Sequence, residues 1–165
     1  PNTAMVLYNV PGRTVSDLQP ETIQRLAQIP NIIAVKEASG KPERTTKVLE
    51  LCGPEFLVFS GEDNQGCASI VAGGHGVISV TANIVPKQMS EMCALAVAGD
   101  HAGATAADAK LQPLHKELFC EPNPQAPKWA LSALLNKCGP GIRLPLLPLS
   151  EDKYAQVKAA LGAAQ

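Results

Sequence analysis

An amine, a phenol and a guanidinium stand at matching places along this chain. Lys36 ends the run Asn31-Ile32-Ile33-Ala34-Val35, whose four apolar residues, three of them β-branched, read as a short buried strand of the parallel-sheet kind. One unit earlier, Ala4-Met5-Val6-Leu7 ends in Tyr8, and Arg13 follows in the loop beyond Pro11-Gly12. The C-terminal ends of parallel strands are where α/β enzymes place their chemistry. Lysine, tyrosine and arginine on neighbouring strand ends suggest carbonyl chemistry on an anionic substrate. Taken singly, the same residues also read as a snorkelling lysine, a packed phenol and a solvated arginine.

Four strands are expected to position these groups: 4–8, 32–36, 56–60 and 76–80. The helices between them are signposted. Pro20 opens one with Ile23, Leu26 and Ala27 on one face. A second runs from Lys41 or Pro42 to Cys52 and stops at Gly53-Pro54. Asp63 is expected to cap a third that ends at Gly73-Gly74, and Pro86 starts a fourth that ends near Gly99. Gly73-Gly74-His75-Gly76 precedes a strand rather than opening a helix, so it reads as a helix stop and not as a phosphate loop. Beyond Gly99 the pattern changes. Asp100 is expected to cap a long alanine-rich helix to about Phe119, and another runs from about Pro127 to Lys137. After an extended stretch over 143–149, Ser150 is expected to cap a last helix.

Composition excludes several classes of function. The 165 residues are 45% apolar and 18% charged with a formal net charge of -1, and no basic run could track a nucleic acid backbone. No apolar stretch approaches the roughly 20 residues that span a bilayer, and no signal peptide opens the chain, so no membrane role is expected. Five well-separated cysteines, an odd number without CxxC spacing, fit reduced thiols in the cytoplasm. His75, His101 and His115 lack ligand spacing, so no metal is expected and the histidines read as surface or loop residues.

Strand, helix, strand, helix repeated four times is compatible with a small doubly wound sheet or with half of a barrel. The start at Pro1 without a methionine, and the lack of a Gly-rich phosphate fingerprint, favour the half barrel. Four strands alone would leave two apolar edges, so the chain reads as a fragment or as one part of a pair.

The segments Tyr8-Asn9-Val10-Pro11-Gly12-Arg13-Thr14, Val35-Lys36-Glu37-Ala38-Ser39-Gly40, Ser60-Gly61-Glu62-Asp63, Gly73-Gly74-His75-Gly76-Val77-Ile78-Ser79-Val80 and Glu121-Pro122-Asn123-Pro124 together resemble the 4-hydroxy-tetrahydrodipicolinate synthase (dihydrodipicolinate synthase) family of bacterial lysine biosynthesis. The resemblance runs in order to Arg143-Leu144-Pro145-Leu146. It implies the C-terminal half of a (βα)8 TIM barrel over residues 1–99, with four parallel strands, followed by a small all-helical C-terminal segment over 100–165.

The resemblance also implies a reaction. Lys36 would condense with pyruvate to a Schiff base, whose enamine attacks L-aspartate 4-semialdehyde to give 4-hydroxy-tetrahydrodipicolinate on the diaminopimelate route. The amine must be unprotonated for this, and apolar surroundings disfavour the ammonium. Tyr8 corresponds to the family's proton donor and acceptor, Arg13 to the arginine that holds the semialdehyde carboxylate, and Gly61 and Ile78 to residues lining the pyruvate pocket. The family uses no cofactor and no metal, and the complete protein is usually a homotetramer, a dimer of dimers. Its remaining relay residues lie in the N-terminal part, so the 165 residues alone are expected to be inactive or nearly so. Two alternatives stay open: a sibling lyase acting on N-acetylneuraminate or a keto-deoxy sugar acid, from which Arg13 argues away, and a non-catalytic half-barrel fragment.

Overall fold

The structure is a computed structural model and describes residues 3–165, so Pro1 and Asn2 of the expected barrel segment lie outside the described residues. Strands β1 (Met5–Asn9), β2 (Ile32–Glu37), β3 (Leu57–Ser60) and β4 (Gly76–Val77) form one parallel sheet in that order. Helices α1 (Pro11–Thr14) and α2 (Pro20–Leu26) join β1 to β2, and α3 (Glu43–Cys52) joins β2 to β3. A 3-10 turn, Asp63–Gln65, leads into α4 (Gly66–Val71) before β4. The chain is therefore an α/β protein with a four-stranded parallel sheet and helical crossovers.

Strand periodicity sorts the side chains into two faces. Leu7, Val35 and Val58 share one register row, and they pack with Ile23, Ile32, Val48 and Phe56 into the core under α2 and α3. Each fully buried side chain of this kind contributes about 1.5–3 kcal/mol relative to exposure. The next row, Tyr8, Lys36 and Phe59, lies on the opposite face. The row after it, Asn9, Glu37 and Ser60, returns to the helix-facing side and is buried. A Cβ added to Gly66 would come within 2.5 Å of Val77, so this glycine lets α4 settle on β4.

Several expected boundaries move. β4 has two residues rather than five, because β3 offers partners only to Ser60; the Ile78 amide makes one further bond, to the Ser60 carbonyl at 2.9 Å. The turn of helix α1 was not foreseen and starts with Pro11 in its first turn, where a missing N–H costs nothing. Asp63 does not cap α4. It lies buried inside the 3-10 turn, where its carboxylate accepts a hydrogen bond from Ser79.

The described residues group into two compact units, 3–79 with Ala96–His101, and Val80–Leu95 with Ala102–Gln165. This grouping does not follow the expected boundary at 99, since most of α5 (Pro86–Val97) clusters with the later helices. The second unit also holds α6 (His101–Glu117) from Ala102 onward, α7 (Gln125–Trp129) and α8 (Tyr154–Ala164). α7 starts two residues before the expected Pro127 and runs into a π-helical turn, Ala130–Leu134, instead of reaching Lys137. Asn136, at φ 51°, takes the left-handed conformation that ends it. Ser150 holds the cap position before the final 3-10 turn and α8, but its side chain makes no capping bond.

The expectation of surface histidines fails for His115, which is 2% exposed. Its Nδ1 lies 2.8 Å from Thr81 Oγ1, and its Nε2 lies 3.5 Å from Asp108. A helix position flanked by Leu111, Leu114 and Leu118, all buried, carries it inward. The five cysteines stand as free thiols. Among the described residues, no helix is long and apolar enough to cross a membrane, and no cluster of His, Cys, Asp or Glu could hold a metal ion.

Candidate active site

Parallel pairing sets Tyr8 of β1 directly beside Lys36 of β2. The Lys36 ammonium nitrogen lies 4.2 Å from the centroid of the Tyr8 ring, a cation–π contact. Gly61 follows β3, and its amide donates to the Glu37 carbonyl at 2.7 Å. A Cβ at Gly61 would stand 2.9 Å from Lys36 Cε and 2.7 Å from Ala38 Cβ. The stem of Lys36 therefore runs over a place that only glycine leaves open. Ile78, one residue past β4, is exposed at the same end of the sheet. It stands two strands from Lys36, or roughly 10 Å.

Arg13 lies in α1 and is exposed. Glu62, next to Gly61, ties it electrostatically to Lys36. Burial pushes the Glu62 carboxyl above the usual glutamate range and Asp63 adds to the rise, while the charges of Arg13 and Lys36 pull it back. Ser60 Oγ holds this corner, accepting from the Glu62 amide at 3.1 Å and donating to the Glu62 carbonyl at 2.9 Å.

Behind Tyr8 and Lys36 lies a polar network that sequence reasoning left unassigned. Asn9 Nδ2 donates to Asp17 at 3.0 Å and to both Glu37 oxygens at 3.1 Å, and Asn9 Oδ1 accepts the Leu18 amide at 2.9 Å. The Arg44 guanidinium, from α3, meets Asp17 at 2.6 Å and the Leu18 carbonyl at 2.8 Å, with Glu37 at 3.8 Å. The Ser39 amide donates to Glu37 at 2.8 Å. These bonds fix the loop that carries Arg13 to the ends of β1 and β2. The Asn9 amide, with help from Arg44, holds the Asp17 carboxyl below its ordinary value against the opposing effect of burial. A signal was present: Asn9 and Glu37 each follow a reactive candidate on the strand, where alternation turns them toward a face that is otherwise apolar.

Tyr8, Lys36 and Gly61 thus come together. Arg13 and Ile78 take places at the same sheet end, on a neighbouring helical turn and beyond the fourth strand. An amine packed on a phenol ring, with a glycine clearing its path, can add to a carbonyl and find a proton donor close by.

The dihydrodipicolinate synthetase family model matches residues 1–164. The chain belongs to this family. A 4-hydroxy-tetrahydrodipicolinate synthase of Neisseria gonorrhoeae is 50% identical over 159 residues, which cover 96% of this chain and 54% of that protein. The structure of a dihydrodipicolinate synthase from Acinetobacter baumannii, complexed with pyruvate, superposes with a TM-score of 0.94 at 44% identity, covering 98% of this chain and 55% of that one. The Thermotoga maritima dihydrodipicolinate synthase gives a TM-score of 0.95 at 37% identity, with 99% and 57% covered. The chain spans about half the length of the family members it matches.

Proposed function

We propose that this chain carries the nucleophile of a pyruvate-dependent aldolase-type synthase, acting in the cytoplasm on the diaminopimelate route to lysine. The packing of the Lys36 amine on the Tyr8 ring carries the reading. Lys36 adds to the C2 carbonyl of pyruvate, and loss of water from the carbinolamine leaves an imine. Removal of a C3 proton gives the enamine, whose C3 forms the new bond to the aldehyde carbon of L-aspartate 4-semialdehyde. Tyr8 supplies and takes up the protons of the dehydration. The imine itself is the electron sink, so the step needs neither metal nor organic cofactor.

Arg13 receives the semialdehyde carboxylate in this reading, as its exposed guanidinium supports. Gly61 and Ile78 line the pyruvate side. The four βα units, residues 1–99, belong to the second half of a (βα)8 barrel, and residues 100–165 form the helical domain that follows it. The order of the elements supports this, because only helices and short helical turns follow the fourth strand. The complete subunit is taken to associate with copies of itself as a tetramer.

Borohydride reduction of a folded complete subunit in the presence of pyruvate tests the reading. A mass gain on the peptide holding Lys36 is expected. An unmodified Lys36 peptide overturns the mechanism.

A further inference from the structure

The second unit contains a cavity of about 260 Å³ that the proposed chemistry does not use. One wall carries Trp129, stacked on Tyr154 with ring centroids 4.3 Å apart and planes 13° from parallel. Leu149, which is buried, contributes apolar surface. Gln125 also lines it, and its amide nitrogen donates to the Leu147 carbonyl at 2.7 Å, which fixes the rim beside Leu149.

Two features are unusual for a gap in packing. Lys128 lines the cavity half-buried, and its ammonium has no hydrogen bond or ion pair among the described residues. The cation is thus open to an incoming anion. The second feature is the π-helical turn Ala130–Leu134, where the Leu135 amide reaches back to the Ala130 carbonyl at 3.0 Å. Such turns widen a helix and recur at functional sites. This one brings Ser132 to the cavity wall.

We infer that this cavity is a binding site for a small monocarboxylate with a flat or branched apolar body. The ammonium of Lys128 and the hydroxyl of Ser132 receive the carboxylate, and the Trp129–Tyr154 stack and Leu149 receive the body. The volume matches roughly nine waters, which limits the ligand to about the size of benzoate. A single cation suits one negative charge. A phosphate dianion calls for several convergent N–H donors.

Trp129 is the only tryptophan, so its emission reports on the site directly. Titration of the 165-residue chain with benzoate should give a saturable change. The neutral isostere benzamide should bind roughly tenfold more weakly or worse, the loss expected for one charge-assisted bond. Lys128→Met should reduce the preference for benzoate over benzamide to less than about twofold, with the far-ultraviolet circular dichroism unchanged. No saturable change with benzoate, or equal affinities for the two ligands in the unaltered chain, overturns the inference. The ligand pair carries the test even if the variant misfolds.

Discussion

At Gly61 a single added methyl group would meet both the Lys36 stem and Ala38. Gly61→Ala is expected to cost about 1–3 kcal/mol in urea unfolding, through overpacking. In the complete subunit it should slow imine trapping on Lys36 more than tenfold, because the amine must leave its place on Tyr8. The neighbouring Glu62 gives a second prediction. Its folded-state pKa is raised, chiefly by burial, so its contribution to stability is full below the unfolded value near 4.5 and is lost as pH rises through the folded value. Glu62→Gln should therefore raise Tm at neutral pH, and the gain should vanish below about pH 4.5. Thermal melts across pH 3.5–8 would show this. An equal shift at every pH would refute the assignment. Of these residues, Lys36 and Tyr8 were legible because each ends an apolar run. Glu62 was not, because its significance lies in burial beside Arg13 and Lys36, and a loop sequence carries no mark of that.

At the scale of elements, Asn9, Asp17, Glu37 and Arg44 weld the ends of β1 and β2 to α3 and to the loop after α1. Arg44→Ala leaves two carboxylates facing one another without their cation, and a loss of roughly 2–4 kcal/mol is expected in denaturant unfolding. Hydrogen exchange should quicken at the Leu18 amide, whose acceptor Asn9 belongs to the same network. Unchanged exchange there would show that the network does not hold the loop. Strand order and crossovers were readable from apolar runs, prolines and glycines. The short β4 was not, because Val77-Ile78-Ser79-Val80 has strand composition throughout and only the length of β3 decides how much of it can pair. Likewise α7 starts at Gln125, ahead of the proline expected to open it.

At the scale of the whole molecule, Val6, Tyr8 and Ile78 remain 45–51% exposed at the sheet while Val35 and Val58 are fully buried. One face of the sheet is thus complete and the other is not, as four strands of a larger barrel would be. Purified alone, the 165-residue chain is expected to associate with rising concentration in sedimentation velocity and to show no measurable condensation of pyruvate with aspartate semialdehyde in a coupled assay. Clear turnover by the isolated chain would show that these four units suffice. The repeated βα pattern made the class of fold legible. The grouping of α5 with the later helices was not, since contacts rather than sequence order decide it.

Tyr8 and Lys36 face one way, and Asn9 and Glu37, the next residue in each strand, face the other. Parity therefore couples the reactive groups to their support. Deleting one residue upstream within β2 would put the Glu37 carboxylate where the amine belongs, and inserting one would put the amine into the buried network. A two-residue change would keep the faces and shift only the height. Only length changes in steps of two preserve the facing of these side chains, so the facing of the site is written in a binary frame. Redesign of this sheet must keep that frame even where individual side chains are free to vary.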